Sequence, residues 1–142
     1  MTYRQLTFLI RGCAYAVYNE LGPGMLESVY ENAMIIELQS KGLDVQQQLP
    51  IPIKYKGNDM GIAFRCDIVV ENAVILELKS VERLLPVHKK QLISYLKLTD
   101  MRVGYLINFN EADINNGLER VLYKFKEEDD ISQIIKKQYN NQ

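Results

Sequence analysis

The sequence predicts one α/β domain whose mixed sheet of four to five strands is flanked by helices. Two helical patterns open the chain, alternating apolar segments typical of antiparallel strands follow, and a helical segment then separates two apolar runs as in a strand–helix–strand crossover. The 142 residues are 47% hydrophobic and 25% charged, which is typical of a globular protein of one domain. We expect the domain to span residues 1–126 and residues 127–142 to form a charged C-terminal tail or a frayed helix.

The first two predicted helices are separated by a glycine-proline turn. The helix expected over residues 3–21 has apolar residues at three-to-four spacing, namely Leu6, Ile10, Ala14, Val17 and Leu21. The run Gly22-Pro23-Gly24 ends it. A second helix is expected from about residue 25 to residue 41, closed by Gly42. Its apolar residues include Leu26, Val29, Ala33 and Ile36.

An antiparallel meander is predicted in the middle of the chain. Residues 49–55 alternate apolar and polar side chains, and Pro50 and Pro52 place this strand at a sheet edge because proline cannot donate to the ladder. A turn then leads into the strand that carries Asp67, and the strand that carries Glu77 follows.

The crossover comes after these strands. A helix is expected over residues 87–99, and residues 103–109 form a short apolar run typical of a central strand. Residues 116–125 fit either a helix or a short edge strand.

The loop between the two central strands decides where Asp67 and Glu77 point. A two-residue turn at Glu71-Asn72 would place the two carboxylates on opposite sides of the sheet. A three-residue loop would pair Val70 with Val74 and bring Asp67 opposite Glu77, with Asn72 favoured over Ala73 for the left-handed position. A bulge near Asp67 would have the same result.

Two carboxylates that face each other must share a proton or hold a divalent cation. Lys79 lies two residues after Glu77, on the same strand face, and could offset part of the repulsion. The alternative is a surface network of Arg65, Asp67, Glu77 and Lys79, which would contribute only about 0 to 1 kcal/mol per pair. The apolar neighbours of Glu77 favour an interior strand instead.

The sequence resembles the PD-(D/E)XK nuclease superfamily over most of its length. The resemblance lies in the segments FRCDIVV and ILELKSVERLLPVHKKQLISYL, which place an Asp, a Glu-x-Lys and a helical Gln in the order of that superfamily. The segment LGPGMLESVYE is similar to the motif of the GxxExxY proteins, which are grouped there. The proline that usually precedes the Asp is absent, because Arg65-Cys66 occupies this place. The resemblance implies a restriction-endonuclease-like core.

The resemblance also implies a role for each matching residue. Asp67 and Glu77 would bind Mg²⁺, or Mn²⁺ in its place, together with the main-chain carbonyl of Leu78, and Lys79 would orient or activate the attacking water. Glu27 would be the additional acidic ligand from the first core helix, although a carboxylate at a helix N-terminus is also favoured for its charge alone. Glu31 is a weaker candidate for the same role.

The helix at residues 87–99 carries two further candidates. Gln91 matches the helical Gln that related nucleases direct at the metal site. His88 is a candidate base, but its place just after Pro86 suits a capping or surface role equally well. Tyr95 lies on the same helical stripe. Tyr30, from the GxxExxY motif, is either a motif residue or a core tyrosine with a hydrogen-bonded hydroxyl group.

These features predict a magnesium-dependent nuclease, with DNA as the favoured substrate. The alternative is a non-catalytic nucleic-acid-binding or regulatory protein that keeps the fold. A third hypothesis is a metal-dependent phosphatase for small molecules. The net charge of −1 excludes a strongly basic, indiscriminate nucleic-acid binder. We expect no membrane association, a homodimer as one option, and a cytoplasmic location, since the chain start does not resemble a secretory signal and Cys13 and Cys66 lack metal-site spacing.

Overall fold

The computed structural model describes residues 1–126, so the predicted tail at residues 127–142 lies outside the described residues. Its helices are α1 (Tyr3–Leu21), α2 (Glu27–Ser40) and α3 (Pro86–Thr99), and a 3₁₀ turn covers Ile114–Gly117. Its strands are β1 (Val45–Tyr55), β2 (Asn58–Val70), β3 (Val74–Lys79), β4 (Val103–Asn108) and β5 (Leu118–Leu122). No helix within this part of the chain is both long enough and apolar enough to cross a membrane.

The strands form one mixed sheet in the order β1-β2-β3-β4-β5. Only β3 and β4 pair in parallel, and α3 connects them as the predicted crossover helix. The other neighbours are antiparallel. The prediction of a mixed sheet flanked by helices is therefore confirmed, with five strands. The proline-containing strand lies at one edge, as expected, and β5 resolves the ambiguity of residues 116–125 in favour of an edge strand.

The sheet separates two apolar clusters. The α1 and α2 side chains pack on one face, against β2, β3 and β4 residues that include Ile68, Leu76 and Tyr105. Helix α3 covers the other face with Leu92 and Leu96. Because side chains alternate along each strand, the alternate residues of β3 divide between these two clusters. Both faces of the central strands are therefore buried.

The apolar residues that indicated α2 do not form its buried face. Leu26, which precedes the helix, and Ile36 are 75% and 68% exposed, Val29 is 39% exposed, and of these residues only Ala33 is partly buried. The helix instead buries the stripe Tyr30, Met34 and Leu38. The Tyr30 ring stacks on Phe109 with centroids 4.4 Å apart. Its hydroxyl group donates a hydrogen bond to the Gly22 carbonyl at 2.5 Å. The stacking on Phe109, the residue just after β4, sets the rotation of α2 about its axis.

Candidate functional site

The hairpin between β2 and β3 has the three-residue loop that brings the acidic residues together. Val70 pairs with Val74, and the register continues to Ile68 and Leu76. Asn72 takes the left-handed conformation, as predicted, with φ of 50°. Glu71 does so as well, with φ of 55°. Its amide and carboxylate both bond to the backbone of Asp44, which holds Glu71 in this conformation.

Asp67 and Glu77 occupy the point where main-chain pairing of β2 and β3 ends. The Asp67 amide donates a hydrogen bond to Glu77 Oε1 at 3.1 Å. In return, the Leu78 amide donates to Asp67 Oδ2 at 2.9 Å. Each carboxylate thus accepts a hydrogen bond from a main-chain N–H of the opposite strand and takes the place of the main-chain carbonyl that would accept it in a regular ladder. The two side chains are fixed beside one another by the backbone itself.

This arrangement places a buried carboxylate, Glu77, beside the partly buried Asp67. Glu77 is only 6% exposed. Burial, reinforced by the nearby charge of Asp67, raises the pKa of Glu77 to about 8. No lysine or arginine within residues 1–126 forms an ion pair with Asp67 or Glu77, so the alternative of a surface ion network does not describe this pair. A proton on Glu77 or a divalent cation would reduce the repulsion between the two carboxylates.

Lys79 ends β3 on the same strand face as Glu77 and is partly buried. The charge of its ammonium group lowers the pKa of Glu77, which partly offsets the effects of burial and Asp67. The Lys79 carbonyl accepts a hydrogen bond from the Phe109 amide at 3.0 Å, so the strand end is held against the end of β4. Leu78 is buried and its amide is held by Asp67. The coordination of a metal by its carbonyl stays a prediction.

Glu27 is the first residue of α2 and lies next to the end of β3. Its Oε1 accepts a hydrogen bond from the Ser80 amide at 3.4 Å, and the Ser80 hydroxyl group donates to the Met25 carbonyl at 2.7 Å. Residues 1–126 contain no group of three or more His, Cys, Asp or Glu side chains placed to hold a metal. The structure therefore brings Asp67 and Glu77 together, and the role of Glu27 as a further ligand stays a prediction.

Gln48 is a site residue that the sequence analysis missed. Its Nε2 donates to Glu31 Oε1 at 2.6 Å and lies 3.4 Å from Asp67 Oδ1, so it connects α2 with the acidic pair. Gln48 has φ of 52°, a strained conformation for a residue within a strand. No sequence signal marks it, because Gln48 is the last of three consecutive glutamines in β1.

Helix α3 contributes a capping histidine and an aromatic neighbour of the acidic pair. His88 Nδ1 accepts a hydrogen bond from the Leu85 amide at 3.0 Å, so this side chain caps the helix. Gln91 is exposed. The Tyr95 ring stacks on Phe64 with centroids 3.7 Å apart. Burial, with the charge of Glu77 as the next cause, raises the pKa of Tyr95. The catalytic roles of His88 and Gln91 stay predictions.

A comparison with protein families identifies a relationship that agrees with this geometry. The family model described as the PD-(D/E)XK nuclease superfamily matches residues 4–121, which include α1 and most of β5. No curated protein gives a significant match to the chain, and neither does any solved structure.

Proposed function

Because the chain belongs to the PD-(D/E)XK nuclease superfamily, whose members are usually nucleases, we propose that it hydrolyses nucleic-acid phosphodiester bonds with Mg²⁺ or Mn²⁺ as cofactor and DNA as favoured substrate. The observation that carries this proposal is the acidic pair, in which each carboxylate, of Asp67 and of Glu77, accepts a hydrogen bond from a main-chain amide of the opposite strand. A protein that only needed a stable hairpin would gain nothing from a buried carboxylate with a pKa of about 8.

The residues of the pair fit a divalent cation. Carboxylate and carbonyl oxygens are the ligands that Mg²⁺ prefers, and Asp67, Glu77 and the Leu78 carbonyl provide this set, with Glu27 as an additional ligand. A bound Mg²⁺ would polarise a phosphoryl oxygen and lower the pKa of its water. The two amide hydrogen bonds hold the carboxylates in place before an ion binds, which reduces the cost of ordering them.

Lys79 is the proposed catalytic cation. It follows Glu77 on the same strand face, and its charge already acts on Glu77. In the proposed reaction the ammonium group orients the attacking water and stabilises the negative charge that develops on the phosphate. Gln48 positions Asp67 from the other side. Gln91 and His88 of α3 are proposed to line the approach to the pair.

We further propose that the chain is a member of the GxxExxY proteins. Gly24 takes φ of 98°, which suits a glycine, and begins the turn into α2. Glu27 bonds to the Ser80 amide just beyond Lys79. The Tyr30 hydroxyl group bonds to the backbone on both sides of this turn, at Gly22 and at Met25. The three motif residues thus support one structure, a turn that holds an acidic residue beside the end of β3.

The test is cleavage of labelled linear, nicked, branched and single-stranded DNA and RNA in the presence of Mg²⁺ or Mn²⁺. The wild type should cleave at least one DNA substrate, and Lys79→Ala should not. Lys54→Ala, which changes an exposed lysine on the β1–β2 hairpin, is the matched control and should behave as the wild type. Equal cleavage by the wild type and Lys79→Ala would indicate a contaminating nuclease. Binding without cleavage by the wild type would favour the non-catalytic alternative.

A further inference from the structure

A basic cavity lies between α1 and the strands β4 and β5. Its volume is about 550 Å³, within the range of small-molecule sites. We call it the arginine pocket; its lining includes Arg4, Thr7, Phe8, Arg11, Tyr15, Tyr105 and Arg120. A smaller cavity of about 360 Å³ adjoins it and shares Arg4, Thr7 and Arg120.

The arginine pocket and the acidic pair lie on opposite faces of the sheet. Tyr105 and Arg120 are directly paired across β4 and β5, so both side chains leave the same face, and Tyr105 packs in the α1–α2 cluster. Glu77 pairs with Leu106, which packs in the α3 cluster. A nucleic-acid strand that is cleaved at the acidic pair therefore does not need the arginine pocket.

The positive charge of this pocket has no protein counter-charge among the residues that the structure describes. None of the residues that line it is acidic. Within residues 1–126, no carboxylate forms an ion pair with Arg4, Arg11 or Arg120. Three guanidinium groups around one cavity repel each other, and a bound anion with several charges would relieve this repulsion.

One of the arginines lies beside a tyrosine of the same helix. The neighbouring Tyr15 hydroxyl group raises the pKa of Arg11, which favours its charged form. That hydroxyl group in turn donates a hydrogen bond to Asn115 Oδ1, in the loop before β5. The Tyr15 side chain is therefore fixed next to Arg11, whose planar fork can bind phosphate oxygens in pairs.

We propose that the arginine pocket binds a small ligand in which two or more phosphate groups are attached to a planar organic group. Three guanidinium groups match a polyphosphate better than a single carboxylate, since each fork can take two oxygens. The rings of Phe8 and Tyr15, which line the cavity together with the largely buried Tyr105, provide walls on which a planar group can pack. The cavity is also larger than a single phosphate ion requires.

The test is isothermal titration calorimetry of the full chain with ATP, sodium tripolyphosphate and adenosine as probes. EDTA is present throughout, so that the result does not depend on the proposed metal at Asp67 and Glu77. ATP should bind with one site per chain, tripolyphosphate should bind more weakly, and adenosine should show no binding. Arg11→Ala and Arg120→Ala should each weaken ATP binding by at least about tenfold, which corresponds to the loss of a charge-assisted contact.

Controls separate this site from general charge effects and from misfolding. Arg83→Ala removes an exposed arginine from the β3–α3 loop and should leave ATP binding unchanged. Arg120→Lys keeps the charge but loses the fork, and should weaken binding while the unfolding midpoint without ligand stays that of the wild type.

Four results would overturn the proposal. The first is no heat of binding with ATP or tripolyphosphate, and the second is an equal loss of ATP affinity in Arg83→Ala and Arg120→Ala. The third is undetectable ATP binding while Arg120→Ala weakens the binding of a short DNA duplex. The fourth is ATP binding that appears only when the acidic residues at 127–130 are neutralised. The last would be seen with the full-length variant E127Q/E128Q/D129N/D130N. It would mean that this segment, and not a separate ligand, is the occupant.

Discussion

The acidic pair and the arginine pocket concentrate opposite charges on opposite sides of the same sheet, and they are built in different ways. Asp67 and Glu77 are fixed by main-chain amides, and Glu77 is buried. Arg11 and Arg120 are exposed, and the pocket around them is built from side chains of α1, β4 and β5. Burial makes the charge of a carboxylate depend on pH and on a cation, whereas an arginine stays charged at all ordinary pH values. The acidic pair should therefore bind protons or metal ions, and the arginine pocket should bind polyanions.

The largest expected effect separates the two regions by activity. Lys79→Ala should reduce the rate of Mg²⁺-dependent DNA cleavage by about 100-fold or more, the usual contribution of a group that assists proton transfer. Arg11→Ala should leave this rate within about twofold of the wild type when no ATP is present, because the arginine pocket lies on the other face. The measurement is the initial rate on one linear substrate. A comparable loss in both variants would show that the two regions form one functional surface.

A second prediction concerns pH and stability without metal. Glu77 binds its proton more tightly in the folded chain, with a pKa of about 8 against 4.5 for the free group, so the folded state holds more protons between these values. The free energy of unfolding should therefore fall as pH rises through this window, by at most about 1.4 kcal/mol per pH unit, and level off below and above it.

Urea unfolding in EDTA at several pH values checks this dependence. Glu77→Gln should flatten the curve, because the amide does not titrate. Mg²⁺ should restore stability to the wild type most strongly near pH 8, where the metal competes with the fewest protons. An unchanged slope in Glu77→Gln would assign the effect to other groups. Arg120→Ala is the control from the other region and should keep the slope of the wild type.

The third prediction tests how the acidic pair is supported. Gln48→Ala removes the amide that bridges Glu31 and Asp67, and should weaken Mn²⁺ binding by about tenfold, as expected for a residue that orients a metal ligand. Gln46→Ala, an exposed glutamine on the same strand, is the matched control. Calorimetric titration with Mn²⁺ measures both. Equal affinities would show that the two main-chain amides alone position Asp67.

The smallest expected effect concerns the turn before α2. Tyr30→Phe removes the hydroxyl group that bonds to the Gly22 carbonyl and the Met25 amide, and should lower the free energy of unfolding by about 1 to 2 kcal/mol. Tyr55→Phe, at an exposed tyrosine, should have no measurable effect. ATP binding should be unchanged in both variants. A Tyr30→Phe protein as stable as the wild type would mean that ring stacking on Phe109 suffices to hold α2.

Much of the fold could be predicted because it follows from local spacing. Helix α1 occupies the predicted residues, Tyr3–Leu21, and a capping box between Thr2 and Gln5 begins it. The prolines of β1 correctly indicated an edge strand. The three-residue loop at the β2–β3 hairpin gives one of two registers that the sequence left open, and in this register Ile68 pairs with Leu76 on the side of the sheet that α1 and α2 cover.

The rest depends on contacts between distant parts of the chain. The buried face of α2 does not follow from its aliphatic residues, because their pattern carries no information about the stacking of Tyr30 on Phe109. Gln48 reaches Asp67 only because β1 pairs with β2. The arginine pocket combines residues from both ends of the described chain, and no spacing in the sequence connects Arg4 with Arg120.

The sequence by itself predicted most of the helix and strand segments, the edge position of β1, and Asp67, Glu77 and Lys79 as candidate site residues, since periodicity and residue type are local properties. Tertiary structure alone decided which face of α2 is buried, how the two carboxylates exchange hydrogen bonds with the opposite strand, and that three arginines surround one cavity. The physical reason is that a side chain's partners, burial and pKa arise from packing between elements, and these are set only when the sheet and its helices assemble.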